Sequence, residues 1–392
     1  MTQRKLPVRM RVLIVSTLLT HSLCPAVLAA DEIPVNTWTV VDIDWEKPLA
    51  KVADDARWQT GDGYSDSVLR TKTGEVLIRT GITSKKLGLS PGFYTNTTVA
   101  WNIANDEARI VEIANWGGGS YGGAKLLPAF ADHPTPTPRH TYDGICYVPE
   151  EDAIYLMLGA NGRMVGRNAQ EDAQRQHTID NNESTWKYDF ERGRWRRIDH
   201  NVRKFWPSVY RVSPYEAHLT HWPAGGKLLF FNDRGTHHAE FDLKTQQWEV
   251  VELANECPMS LCNARSAWDS RRNVWVFRLG PRLCTFDPQT REFATLPDCW
   301  DLPKAEAPEE KKKDARWASM GICYIDKHDA YLVTGPNGDD TRVFHPQTGK
   351  WESVAGGTVE LVNGYCQYDA RTDLVLMNYQ LKCYKFRYTP QD

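Results

Sequence analysis

Paired aromatic residues seven positions apart, recurring at intervals of 42 to 58 residues in a chain rich in turn formers, predict an all-β fold. Two strands joined by a short turn account for each pair, and two further strand-like runs precede it. Four strands per repeat of about 40–50 residues is the arithmetic of a β-propeller blade. The composition agrees: 15 Trp, 16 Tyr and 12 Phe stand among 27 Gly and 22 Pro in 392 residues. Aromatic residues favour strands, and Gly and Pro supply the turns between them. Charged residues make up 25% and hydrophobic residues 41%, an ordinary globular balance. The formal charge of −3 excludes a basic surface of the kind that steers a protein to nucleic acid.

The first 29 residues read as a secretory signal peptide. Arg4, Lys5, Arg9 and Arg11 give the positive start, the run from Val12 to Leu19 the apolar core, and Val27-Leu28-Ala29 the small residues before a cleavage at Ala30. The apolar run is too short to span a bilayer. Cys24 as a lipid anchor is disfavoured by His21-Ser22-Leu23 before it. A secreted or periplasmic protein without membrane insertion is therefore expected, its single domain spanning 30–392. Its charge after cleavage is −7, and eight cysteines remain. An oxidising compartment permits disulfides among them.

The aromatic pairs are Tyr188 with Trp195, Phe241 with Trp248, Phe286 with Phe293 and Phe344 with Trp351. A looser copy runs from Val99 through Ile113, and Cys383-Tyr-Lys-Phe386 is a half-copy that ends without its second strand. Upstream, Gly144-Ile-Cys-Tyr147 recurs as Gly321-Ile-Cys-Tyr324, and Gly364-Tyr-Cys-Gln-Tyr368 repeats the theme. First strands are expected near residues 64, 139, 211, 262, 316 and 360. The run Thr37–Val41 has the form of the strand missing from the last blade, so the N-terminus is expected to close the ring. Seven blades is the alternative, if the segment around 43–63 holds another strand pair.

These motifs resemble the kelch-type repeats also found in galactose-oxidase-like propellers, and the resemblance runs over nearly all of the mature chain. Pro138-Arg139 and the paired aromatic strands fit it; the double glycine expected after the second strand is degraded to Gly159-Ala-Asn-Gly162 and Gly335-Pro-Asn-Gly338. The copper-radical ligands of the oxidases cannot be placed residue by residue, so that activity does not transfer. Secreted propellers of this type include a sialic-acid epimerase, which keeps an enzyme among the alternatives.

Loops between blades and between second and third strands emerge on one face of a propeller. The long insertions 115–138, 161–184 and 303–314 are all of this kind, which makes that face the expected ligand surface. Its candidate ligand-binding residues are Arg139, His140, Arg163, His177, Arg234, His237, Arg316, Trp317, Asp339 and Arg342. Arg offers a planar hydrogen-bonding fork, His a tunable proton, and Trp a stacking surface for a sugar ring. The expected partner is a glycan or a protein. No cofactor is expected, and no metal, because neither His237-His238 nor His218 with His221 has carboxylate or Cys partners at ligand spacing. Whether the chain is an enzyme stays open; an epimerase, lyase or hydrolase drawing an acid and a base from His140, His177, His237, Asp339 and Asp340 is the alternative. A monomer is expected. Cys146, Cys323 and Cys366 are expected at equivalent inner-strand positions as buried apolar groups, Cys257 with Cys262 and Cys284 with Cys299 are the candidate disulfides, and Cys383 has no evident partner.

Overall fold

The structure is a computed structural model that describes residues 33–59, 66–87, 97–113, 116–117, 125–126, 135–136, 141, 143–158, 184–201, 218–231, 237–261, 264–299, 321–335, 340–355 and 364–391. After β1 (Thr39–Val41), a short helix α1 (Glu46–Leu49) and β2 (Arg57–Gln59), the chain builds antiparallel four-stranded blades in sequence order. Blade 1 holds β3 (Ser67–Arg70), β4 (Glu75–Thr83), β5 (Thr97–Asn102) and β6 (Ala108–Glu112). The two-residue strands β7 (Trp116–Gly117) and β8 (Lys125–Leu126) pair with each other between blades 1 and 2. Blade 2 holds β9 (Ile145–Val148), β10 (Ala153–Leu156), β11 (Ser184–Asp189) and β12 (Arg194–Asn201); blade 3 holds β13 (His218–Trp222), β14 (Lys227–Phe231), β15 (His237–Asp242) and β16 (Gln247–Glu252). Blade 4 holds β17 (Arg265–Asp269), β18 (Val274–Leu279), β19 (Arg282–Asp287) and β20 (Glu292–Leu296). Blade 5 holds β21 (Ile322–Ile325), β22 (Ala330–Thr334), β23 (Asp340–His345) and β24 (Lys350–Ala355). Blade 6 holds β25 (Tyr365–Asp369), β26 (Leu374–Tyr379), β27 (Lys382–Phe386) and, as its outer strand, β1. The fold is thus a six-bladed β-propeller. The segment that could have held a seventh blade instead forms α1 and β2, and β2 pairs with the far half of β4. Among the described residues, no helix is long and apolar enough to cross a membrane.

The seven-residue spacing is the register of the outer hairpins. Tyr188 faces Trp195, Phe241 faces Trp248, Phe286 faces Phe293 and Phe344 faces Trp351 directly across each pair, with ring centroids 4.8–5.4 Å apart. Such cross-strand aromatic pairs are the unit of sheet stabilisation. Blade 6 obeys the same rule with a residue from the other end of the chain. One position before the Thr39–Lys385 pairing, Trp38 packs on Phe386 at 4.8 Å. Its indole donates to Thr341 Oγ1 at 2.9 Å, as the Trp248 indole donates to Thr185 Oγ1 at 3.0 Å. Both threonines lie on the third strand of the preceding blade, so Trp38 occupies the repeat position that the C-terminal half-copy lacks.

Sequence also dictates the turns. The residue before every second strand is left-handed: Gly74 (φ 71°), Asp152 (43°), Gly226 (61°), Asn273 (56°), Asp329 (48°) and Asp373 (55°). Gly, Asn and Asp are the residues that tolerate this region. The three aspartates add an inter-blade clamp. Asp152 accepts both arms of Arg70 from blade 1 (2.8 and 2.7 Å) and the Tyr147 hydroxyl at 3.0 Å. Asp329 accepts both arms of Arg272 from blade 4 (2.6 and 2.8 Å) and the Tyr324 hydroxyl at 2.9 Å. Asp373 accepts Lys327 from blade 5 and the Tyr368 hydroxyl.

Successive residues of each strand face opposite neighbours, and the apolar core divides accordingly into one cluster for each of the six blade interfaces. Cys146, Cys323 and Cys366 are buried in these clusters. Cys366 is not, however, equivalent to the other two. Cys146 pairs with Tyr155 and Cys323 with Leu332, two residues into the second strand, whereas the matching position in blade 6 is Gln367, paired with Leu376. The extra residue between Gly364 and Tyr368 turns Cys366 backward, and it shares the blade 5–6 cluster with Cys323.

Two stability predictions follow from this architecture. Trp38→Ala removes the aromatic pair and the indole hydrogen bond at the closure, and should cost about 3–5 kcal/mol in denaturant unfolding, as for other buried aromatic truncations; Trp248→Ala should cost a similar amount. Acid should loosen the clamps. Hydrogen bonds from Arg70 hold Asp152 down from 3.8 to about 2. A depressed carboxylate stabilises the fold above its unfolded pKa and loses that contribution as pH falls through the folded value. Thermal stability should therefore fall between pH 4 and 2, by on the order of 2 kcal/mol for this one group, and Asp152→Asn should flatten that part of the profile.

Candidate functional site

Six inner strands converge on the propeller axis and line a cavity of about 320 Å³. Thr71, Pro149 and Pro223, just past the C-terminal ends of their inner strands, form an exposed rim on the face of the short turns. Aromatic side chains furnish the wall, among them Tyr147, Trp268, Trp275, Tyr324 and Tyr368. At the opposite, N-terminal ends of the inner strands the lining is polar and buried: Asp66, Asp143, His218, Arg265 and Tyr365.

Arg265 organises this end. It begins β17 in blade 4, yet its Nη1 donates to both oxygens of Asp143 from blade 2, at 2.9 Å each. Its guanidinium lies 3.8 Å from the ring centre of Tyr365 in blade 6. His218 of blade 3 sets Nδ1 3.8 Å from Asp143 Oδ2 and Nε2 2.9 Å from Ser266 Oγ. Asp66 of blade 1 completes the group; burial, then the nearby Asp143 charge, push its carboxyl well above the usual range. Burial opposes the charge on Arg265, but Asp143 holds its pKa above the ordinary value. On the blade 6 side, Gln367 Nε2 donates to the Ser67 carbonyl at 2.7 Å, and Ser67 Oγ donates to Asn378 at 2.6 Å.

The cavity concentrates unused hydrogen-bonding capacity. Of eleven buried side-chain polar atoms without a hydrogen-bond partner among the described residues, six belong to its lining residues: His218 Nδ1, Thr220 Oγ1, His221 Nε2, Arg265 Nε, Trp275 Nε1 and Gln367 Oε1. Each such atom costs about 1–3 kcal/mol when buried unsatisfied, so their gathering in one aromatic-walled cavity is the chemistry of a polar-ligand site. Among the described residues, no group of three His, Cys, Asp or Glu side chains is arranged to hold a metal ion.

Of the residues singled out from the sequence, Arg139, His140, Arg163, His177, Arg234, Arg316, Trp317 and Asp339 lie outside the described residues. His237 is exposed at the start of β15, at the end from which the second-to-third-strand loops emerge. Arg342 sits in β23 and donates to the Cys299 carbonyl at 2.7 Å. These two belong to blades 3 and 5, with blade 4 between them, and neither lines the cavity. Sequence reasoning missed the axial group, except that His218 and His221 had been weighed as metal ligands. The available signal was position: Asp66, Asp143, His218, Arg265 and Tyr365 all stand at or just before the start of an inner strand. The candidate disulfides also need correction. Cys284 contacts Cys257 instead of Cys299, whose thiol donates to the Pro281 carbonyl at 3.1 Å. Cys262 lies outside the described residues, and with it the candidate pairing of Cys257 with Cys262.

No family model matches the chain. A search of curated proteins likewise finds no match. Among solved structures, the chain is similar to an auxiliary nutrient binding protein from Bacteroides thetaiotaomicron, with 11% identity over 83% of this chain and 68% of that one and a TM-score of 0.46. The propeller assignment rests on the strand order and register described above.

The two axial carboxyls should respond unequally to the same change. Asp143→Asn leaves Arg265 buried without its counter-ion and should destabilise the protein by about 3–5 kcal/mol. Asp66→Asn replaces a carboxyl whose charged form burial disfavours with a neutral isostere, so thermal unfolding should show a far smaller loss, and the comparison with the parent should move in the variant's favour as pH rises.

Proposed function

We propose that this chain is an exported, kelch-like binding propeller, its signal peptide 1–29 removed and its domain 30–392 secreted or periplasmic, that takes a small glycan in the axial cavity. The carrying observation is an aromatic wall together with lining residues of which six carry a buried polar atom without a hydrogen-bond partner, around one 320 Å³ cavity. Sugars present apolar C–H faces that stack on aromatic rings and hydroxyls that both donate and accept. Among the lining residues, Arg265 and Trp275 carry donors, Gln367 both a donor and an acceptor, and Asp66 carboxyl oxygens. The volume lies at the lower end of small-molecule sites, about 300–1,000 Å³, and suits one or two sugar rings better than a polymer. The loop face, with the candidate residues named from the sequence, is left for a protein or a longer glycan in this reading.

A second reading, a carbohydrate-active enzyme on the same scaffold, is favoured by one observation: Asp66, whose carboxyl burial pushes well above the usual range, and Asp143, ion-paired with Arg265, share the cavity. Two carboxyls held in different environments are the material of acid and base roles.

A glycan-array screen of the mature protein, with each hit re-incubated and followed by NMR, tests both. A sugar returned unchanged supports the binding module, and altered ring or anomeric signals support the enzyme. Trp268, half-buried in the wall and 5.4 Å from Trp275, is the residue to remove. Trp268→Ala should weaken sugar binding by about tenfold or more, the loss of one stacking contact, with the thermal midpoint nearly unchanged. Sugar affinity unaltered by that substitution, or no sugar bound at all, would reject the axial site.

A further inference from the structure

The connection from blade 3 to blade 4 is laid along the outer strand of blade 4 by specific hydrogen bonds. Ala254 N donates to the Arg291 carbonyl at 2.9 Å. The Asn255 side chain then grips Phe293 in both directions, accepting from its N–H and donating to its carbonyl, each at 2.7 Å. Within the blade, Phe293 pairs with Phe286, and Thr295, two residues on, pairs with Cys284. Cys257 lies two residues beyond Asn255, so the same anchoring carries it to the level of Cys284. The two side chains meet there. Cys257 packs against the apolar cluster that contains Cys284, and the thiols share a hydrogen bond. Cys284 is fully buried and Cys257 half-buried.

We propose that Cys257 and Cys284 form a disulfide site, whose oxidation covalently staples the inter-blade connection to the third strand of blade 4. The oxidant is a small disulfide such as glutathione disulfide. In the first exchange the Cys257 thiolate attacks it, forming a mixed disulfide and releasing one reduced thiol. Cys284 then attacks the Cys257 sulfur, forming the internal bond and releasing the second. Two protein thiols are oxidised, one small disulfide is reduced to two thiols, and the protons lost by the cysteines go to the departing thiolates. The order follows from exposure, since Cys257 is the accessible sulfur. The second step is slow in the folded protein, because the hydrogen bond to Cys257 and burial raise the Cys284 thiol well above its ordinary pKa and keep it protonated. The bond is therefore expected to form rapidly during folding, before Cys284 is enclosed, and slowly afterwards. An oxidising compartment is part of the export reading above, but the pairing itself is a property of the fold and is tested apart from it.

The test is refolding of the mature chain in a glutathione redox buffer, followed by alkylation, proteolysis and fragmentation mass spectrometry. The expected product joins Cys257 to Cys284, persists in Cys262→Ser, and is absent from Cys257→Ser. Its formation should raise the thermal midpoint by a few degrees, a shift reversed by dithiothreitol and missing in Cys257→Ser. Native protein in the same buffer should reach the same linkage, more slowly. A bond between Cys257 and Cys262, one between Cys284 and Cys299, or both Cys257 and Cys284 alkylated at equilibrium would overturn the proposal. Because Cys257→Ser keeps a small side chain at a half-buried position, it serves as the folded control should Cys284→Ser fail to fold.

Discussion

Everything in this molecule depends on each blade having a neighbour on both faces. The strands of a blade send successive side chains to opposite sides, and both sets are apolar, so no blade could stand at the end of an open stack without exposing a core. A closed ring removes both ends at once, but a chain that begins and ends somewhere must still join them. Here the join is β1 against β27, and Trp38 makes it specific. It supplies the aromatic partner of Phe386 and the indole donor to Thr341, the two contacts that Trp248 makes on Phe241 and Thr185 in the interior of the ring. Closure thus reproduces an ordinary repeat contact from residues at least 303 positions apart in sequence.

Closing the ring also creates the axis, and with it a problem in electrostatics. Six inner strands point their first residues at one small volume, and polar groups placed there are far from bulk water. Two carboxyls and a guanidinium are accommodated by different means. Asp143 and Arg265 meet in a two-oxygen ion pair across the axis, with Tyr365 covering the guanidinium face, while burial pushes the Asp66 carboxyl well above the usual range. An uncompensated buried charge is far costlier than either arrangement. Six further buried polar atoms of the lining residues lack a hydrogen-bond partner, which is why the cavity reads as a place for a ligand.

The repeat was legible because its cause is local. An aromatic residue and its cross-strand partner are joined by one tight turn, so register becomes a fixed spacing of seven, and Phe286 with Phe293 can be recognised without knowing anything else about the fold. The closing strand was legible for the same reason, as the missing half of a local pattern. The axial group was hidden because its members come from five blades and share no spacing; only ring geometry makes Asp143 and Arg265 neighbours. Cys366 shows a subtler failure. Its motif looks like those of Cys146 and Cys323, but one additional residue before Tyr368 reverses the facing of the strand position, and a period of two turns a similarity in sequence into an opposition in space. The contact of Cys257 with Cys284 was out of reach in yet another way, since it depends on Asn255 gripping a strand edge.

Where the blades are held together bears on where the molecule can vary. The clamps of Asp152, Asp329 and Asp373 lie on the turn face, where the connections are short and a left-handed residue fixes each bend. Their carboxylates tie one blade to the previous one through Arg70, Arg272 and Lys327, without any contribution from the long connections on the other face. The apolar clusters do the same along the interfaces. Among the described residues, the ring is fastened on the turn face and along the blade interfaces. It can also tolerate strained chemistry on its axis, because the cost of burying Asp66 and Arg265 is spread over a closed ring whose interfaces are independent of them. The clamped turn face and the polar axis are therefore consequences of one arrangement, in which structural contacts and candidate binding groups occupy different ends of the same inner strands.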